Sequence, residues 1–281
     1  YDHYLRGSNG SLEKVFDARG NLMKEYEDQY IAPKEGMRLK LTIDLNIQRI
    51  IDNHLEIAMK KYQCKQAIGV AMNPNNGAVL AMVAKPDYNP NDPLKQKEYH
   101  QILPIWMSYE PGSTLKSLTF AAALEEGVID MFHDYYDDKG YEIVMGRRIK
   151  SWKAGGHGHQ SFLQVLENSS NPGFVEISRR LGSKKLYKYV KDFGLTSKTG
   201  IDLPGESKGI MFDENMNELQ AATVAFGQGI SITPIQLVSA FSAVVNGGIR
   251  YQPYLVEQIL DPYSEDIIYQ KEPVAIQRVI S

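Results

Sequence analysis

Two short groups of residues in this sequence could do covalent chemistry together. The first is Glu110-Pro111-Gly112-Ser113-Thr114-Leu115-Lys116. Pro and Gly bring the chain to a helix start and an apolar stretch follows. Ser113 is therefore expected in the first turn, with Lys116 one turn on and both side chains on one face. A serine at a helix N-terminus feels the positive end of the macrodipole. A lysine beside it, if stripped of water and neutral, can take the serine proton. The chemistry would be nucleophilic attack by a serine. The same spacing at Ser11 and Lys14 has neither the Pro-Gly entry nor an apolar helix after it, and is read as chance.

The second group is Ser169-Ser170-Asn171. It falls between helical stretches at 161–168 and 172–181, where a short turn can point Ser169 and Asn171 into a cleft. A hydroxyl there can relay protons, and the Asn amide can hold a substrate carbonyl and the lysine. Ser and Asn are also good helix caps; the partnership with Ser113 and Lys116 favours the active-site reading, with Ser170 at the substrate. His157-Gly158-His159 suggests a metal, with Asp137 or Asp138, but two His one residue apart rarely chelate one ion and a third ligand is not evident. No metal and no cofactor are expected. Trp152, in the same Gly-rich stretch, is expected to line the cleft, with simple packing as its other reading.

The elements that must position these groups follow from periodicity. Residues 38–43 alternate like a strand, and Asp44 can cap the helix after it. Ile47, Ile50, Ile51, His54, Leu55, Ala58, Met59 and Tyr62 recur at helical spacing, so a stripe on a core is expected, with His54 a packed core or interface histidine. Two apolar runs, 67–72 and 78–84, flank Asn73-Pro74-Asn75-Asn76-Gly77 and read as a hairpin. Residues 85–100 are expected to be irregular. A helix runs from Pro111 to about Glu126 and stops at Gly127. After a mixed, Gly-rich stretch at 130–161, helices are expected at 161–168, 172–181, 183–193, 217–226 and 234–246. The tail from 249 alternates like strands. Residues 1–40 are turn-rich, with a possible strand from Leu12 to Phe16. The fold class is α+β, a sheet with a helical cluster packed on it.

Composition sets the outer limits. The 281 residues are 43% apolar and 23% charged, enough for a real core. Lys and Arg number 31 against 34 Asp and Glu, a net charge of −3, which gives no electrostatic case for nucleic acid. The single cysteine, Cys64, excludes an intrachain disulfide and a four-cysteine zinc site. No run of apolar residues is long enough to span a membrane, and no signal peptide opens the chain. It starts on Tyr1, not Met, and is expected to be a processed or excised piece.

On these motifs, and on segments 36–51, 77–90, 109–116, 155–162, 167–174, 200–206 and 226–237, the sequence resembles the transpeptidase domain of class B penicillin-binding proteins. The resemblance covers about 37–281 and is nearest the branch of stage V sporulation protein D and the division transpeptidase. It implies a penicillin-recognising serine transpeptidase (β-lactamase-like) fold over 37–281, with 1–36 an arm or the end of a pedestal domain. Ser113 would be the acylated nucleophile, Lys116 the general base, and Ser169 and Asn171 the second motif. The substrate would be the D-alanyl-D-alanine end of a peptidoglycan stem peptide, and β-lactams would acylate the same serine. The implied setting is the extracytoplasmic face of the bacterial membrane, with an anchor in the full-length protein and a membrane glycan polymerase as partner.

The resemblance also implies a third motif, Lys-Thr/Ser-Gly, on a strand lining the cleft. Lys198-Thr199-Gly200 is the one such triplet, but Pro204 and Gly205 follow and break any strand. It is read as a loop, and the third motif, with the C-terminal strands and helix, is expected beyond Ser281. Some relatives carry cysteines where this chain has Ser151 and Ser170, so thiol control through that pair is impossible here. Asp44, Gly227 and Gln228 match the family, but capping and tight packing are the stronger reading of them. Two other functions fit parts of the pattern: a relative that hydrolyses or senses β-lactams, which would need a deacylating base not evident after Ser169, and an inactive scaffold binding partners through residues 1–40.

Overall fold

The structure, a computed structural model, describes residues 1–14, 19 and 29–281. The chain divides into two compact units, Tyr1–Thr42 with Val256–Glu272, and Ile43–Leu255 with Pro273–Ser281.

The first unit joins residues from both ends of the chain. Strand Val256–Leu260 lies between Arg38–Leu41 and Ile267–Gln270, antiparallel to both. A smaller ladder pairs Ser11–Glu13 with Gln29–Ile31. The expected strand from Leu12 thus forms in part; Val15 and Phe16 lie outside the described residues.

In the second unit, the Asp44 carboxylate accepts from the N–H groups of Asn46 and Ile47 and caps helix Leu45–Tyr62; such a cap contributes about 1 kcal/mol. The helix seats on a hairpin of Ala67–Met72 and Val79–Lys85. It approaches so closely at Gly69 that a Cβ there would lie 2.4 Å from Ile51 Cγ2. Two strands are too narrow to cover a wide apolar stripe. Ile47, Ile51, Leu55, Ala58 and Met59 are half-buried, whereas Ile50, Tyr62 and His54 are exposed. His54 is therefore not a core residue.

The helical body holds the main core. Helix Lys116–Glu125 follows a 3-10 turn, Gly112–Leu115, and packs on Phe162–Glu167, Asn171–Leu181, Ser183–Asp192 and Pro234–Val245, with Glu218–Ala225 against the second and third of these. Ser161, Asn217 and Thr233 open three of these with capping boxes to Gln164, Gln220 and Gln236, each satisfying donors that a helix start leaves orphaned. Leu115, Leu118, Phe193, Leu195, Ile230 and Ile232 pack on one side. Phe120, Phe162, Phe174, Val175 and Ile177 pack on the other.

The Gly-rich stretch before Phe162 is more ordered than its sequence suggests. Tyr135–Asp138 pairs with Gly158–Ser161, and Tyr141–Val144 with Arg147–Lys150. The second hairpin turns on Met145 and Gly146, both at positive φ. That is the geometry a two-residue hairpin loop needs, reached without the usual Asn-Gly signal. A short helix, Leu103–Trp106, was also invisible to periodicity because four residues carry none.

Candidate active site

Ser113 sits in the 3-10 turn and Lys116 begins the α-helix. Three residues make one turn of a 3-10 helix, so the i and i+3 side chains eclipse. The turn is pinned from behind. Tyr109 and Ile232 exchange backbone hydrogen bonds, Gly112 N–H donates to Gly227 O, and Gly229 N–H donates to Glu110 Oε1. A Cβ on Gly227, which has φ +82°, would lie 2.0 Å from Gly112 O. Only glycine permits that approach, so the packing reading of Gly227 describes what this structure contains. Ser113 is exposed, and its hydroxyl bonds to none of the described residues.

Lys116 is the opposite, at 1% exposure. Its Nζ donates to Ser169 O at 2.7 Å, Ser169 Oγ at 2.9 Å and Asn171 Oδ1 at 2.7 Å, and lies 5.3 Å from the centre of the Phe174 ring. These partners carry no charge. Burial therefore dominates, penalises the ammonium and pushes the Lys116 pKa down to about 8. A lysine with that pKa is a usable proton acceptor near neutral pH.

The second group is a corner shared by two helices. Helix Phe162–Glu167 ends with Ser170 N–H donating to Val165 O and Ser169 N–H to Leu166 O. This is the Schellman pattern, and its left-handed position, normally glycine, is Ser169 at φ +49°. A left-handed serine costs about 1–2 kcal/mol, and it brings a hydroxyl to Lys116 that glycine could not. Gly173 makes the corner tight, since a Cβ there would lie 2.4 Å from Val165 Cγ1.

Ser170, expected at the substrate, is instead completely buried. Its Oγ accepts from Gly173 N–H, capping helix Asn171–Leu181, and donates to Asp138 Oδ2 at 2.8 Å. Both bonds are internal and the side chain reaches no solvent, so Ser170 shapes the corner. Asp138, 1% exposed, also accepts from Gly140 N–H. The sequence offers Asp138 only as a metal ligand, because no local signal relates residue 138 to residue 170. Neighbouring bonds tie the corner to the stretch 138–160: Asn171 Nδ2 to Lys150 O at 3.5 Å, Asn168 Nδ2 to Gln160 Oε1 at 3.0 Å, and Trp152 Nε1 to Asn168 O at 2.8 Å. Trp152 is 70% exposed, its edge against His157.

His159 pairs with Asp137 at 2.8 Å and stacks on Tyr135. Among the described residues no group of three or more His, Cys, Asp or Glu could hold a metal. Lys198-Thr199-Gly200 is a loop in which Thr199 N–H and Oγ and Gly200 N–H all donate to the Glu206 carboxylate. The triplet builds that loop and forms no strand. Ser151 is half-buried, its N–H on Gly140 O.

An exposed serine beside a solvent-free lysine, with that lysine docked on a Ser-x-Asn corner, is equipment for acyl transfer through a serine ester. The fold and sequence agree on the lineage. The chain belongs to the penicillin binding protein transpeptidase domain family, which it matches over residues 67–281. It is 47% identical to stage V sporulation protein D of Bacillus subtilis across the whole chain and 44% of that protein. It is 29% identical to the peptidoglycan D,D-transpeptidase MrdA of Escherichia coli, over 91% of this chain and 43% of that one. The crystal structure of penicillin binding protein 2X from Streptococcus thermophilus superposes with a TM-score of 0.84 at 25% identity, covering 98% of this chain and 40% of that one. Penicillin binding protein 3 of Mycobacterium tuberculosis, solved with ampicillin, gives 0.81 at 25%, covering 90% and 55%. The chain spans less than half the length of the curated relatives it matches.

Proposed function

We propose that this chain carries the acyl-transfer centre of a peptidoglycan D,D-transpeptidase that β-lactams also acylate. The observation that carries the reading is Lys116, sealed from solvent and bound by its three contacts to Ser169 and Asn171. Neutral Lys116 takes the Ser113 proton as Ser113 Oγ attacks the carbonyl of the penultimate D-alanine. The Ser113 N–H, at the start of its turn, is one donor to the developing oxyanion. The peptide C–N bond then breaks, Ser169 passes the proton to the leaving amine, and D-alanine departs from a Ser113 ester. The amine of a second stem attacks that ester, the C–O bond breaks and Ser113 recovers its proton. A β-lactam opens instead, and its leaving group stays tethered on the ester. Trp152 presents its ring at the rim beside Asn168 and lines the stem-peptide path.

The names of the relatives support the substrate class, and the family supports the extracytoplasmic membrane face, an anchor and a glycan polymerase as partner. No described helix is long and apolar enough to cross a membrane. Fluorescent penicillin labelling of the full-length protein tests the reading. Labelling that disappears in Ser113→Ala is expected; an unlabelled wild-type protein would overturn it and favour a scaffold, and rapid turnover of a chromogenic cephalosporin would favour a hydrolase.

A further inference from the structure

Between Lys139 and Lys153 the chain places five cations, Lys139, Arg147, Arg148, Lys150 and Lys153, against one anion, Glu142, although its overall net charge is −3. The hairpin Tyr141–Val144/Arg147–Lys150 sorts these by face. Alternation sends Glu142, Val144 and Ile149 inward: Val144 is fully buried, and Glu142 accepts from Arg179 and from Tyr136. The outward face pairs Tyr141 with Lys150 and Ile143 with Arg148. Arg148 lies over the Tyr141 ring at 3.6 Å. Tyr141, Arg148 and Lys150, with Lys139, Lys153 and Ser151, line a cavity of about 330 Å³. None of its four cations makes an ion pair with a described residue. Like charges two apart on one strand face repel, and no carboxylate among the described residues pairs with them. An anion is the occupant that removes the repulsion.

The cavity is joined to the corner that holds Lys116. The Lys150 carbonyl accepts from Asn171, Ser151 N–H donates to Gly140 O, and Gly140 N–H donates to Asp138, which holds Ser170. We propose that a peptide bound at Ser113 and Asn171 continues over this hairpin and that the cavity is its subsite for a carboxylate upstream of the scissile bond. Arg148, flattened on Tyr141, offers a planar fork for a bidentate carboxylate, and Lys139 and Lys153 supply flanking charge. The proposal rests on the acyl-transfer reading above.

The test uses the full-length protein and two D-alanyl-D-lactate depsipeptides, one with a free side-chain carboxylate two or three residues before the ester and one with that carboxylate amidated. D-lactate release is compared in wild type and in the triple variant Lys139→Gln, Arg148→Gln, Lys153→Gln. Lys150 is left intact because its backbone holds Asn171. Wild type should favour the free carboxylate by about tenfold in kcat/KM, from three exposed charge contacts, and the preference should shrink with added salt. The triple variant should lose the preference, with the amidated substrate and penicillin labelling of Ser113 unchanged; retained labelling also shows that the variant folds. A preference that survives the substitutions, or wild type without one despite intact labelling, overturns the subsite. Competition by inorganic polyphosphate that depends on the three cations, with the two depsipeptides equal, overturns it in favour of a phosphate polymer. Wild type that takes no penicillin defeats the acyl-transfer reading itself, and this proposal with it.

Discussion

Lys85 and Lys116 lie in the same unit and are both nearly sealed from water, at 8% and 1% exposure. Their surroundings send them in opposite directions. Lys85 Nζ meets Asp52 at 2.8 Å, Asp87 at 3.0 Å and Glu56 at 3.9 Å. Burial alone would lower its pKa, but hydrogen bonds and charge from Asp52 and Asp87 outweigh burial and raise it. Lys116 is the more buried of the two and has only neutral acceptors, so nothing offsets desolvation and its pKa falls to about 8. Burial by itself does not make a lysine reactive; burial without a carboxylate does.

The largest test of this contrast removes each amine. Lys116→Ala should lower the rate of acylation by penicillin by roughly 10³-fold, the scale of a lost general base, with the protein still folded by circular dichroism. Lys85→Met should leave acylation within about twofold and instead cost about 1–2 kcal/mol in urea unfolding, discounted because its carboxylates are partly exposed. Comparable losses of acylation in both would break the distinction.

The pH dependence sharpens it. Attack needs neutral Lys116, and the neutral fraction grows as pH rises toward about 8. Stopped-flow acylation should therefore gain about tenfold per pH unit below that value and level off above it; a flat profile from pH 6 to 9 would rule out Lys116 as the titrating base. The stability signs differ too. Lys116 binds its proton less readily folded than unfolded, so its contribution to stability rises with pH between about 8 and the ordinary lysine value of 10.5. The Lys85 contribution is full below its unfolded pKa and is lost as pH climbs through its raised folded value.

Next comes the support beneath Lys116. Asp138→Ala leaves Ser170 Oγ without its acceptor and Gly140 N–H unsatisfied, so a loss of about 1–3 kcal/mol is expected. Acylation should slow about tenfold as the corner loosens, an effect of positioning, and the profile should keep its midpoint near pH 8. Asp138→Asn should recover part of both. The smallest effect concerns Ser169. Glycine and alanine remove the same hydroxyl, but only glycine accepts φ +49° without strain. Ser169→Gly should be more stable than Ser169→Ala by about 1 kcal/mol, with acylation impaired equally; equal melting temperatures would remove strain from the account.

How much of this was legible beforehand depends on the range of the signal. The Pro-Gly entry placed Ser113 and Lys116 one turn apart, because that spacing is a property of the helix itself. Asp44, Gly127 and the capping residues behaved as local chemistry dictates. Ser170 was misassigned, since a serine between two functional neighbours reads as their equal until its burial is known. The strands of 135–161 were missed because each is four residues long and rich in charge.

The sequence by itself determined which groups could react and which segments would be helical, because nucleophile type, helical period and caps are encoded within a few residues. It also carried the family. Only the tertiary structure decided that Lys116 is dry, that its partners are neutral and that Asp138 sits beneath Ser170. Those facts join residues 32 to 55 positions apart. Desolvation depends on everything packed around a group, and no local stretch of sequence records that.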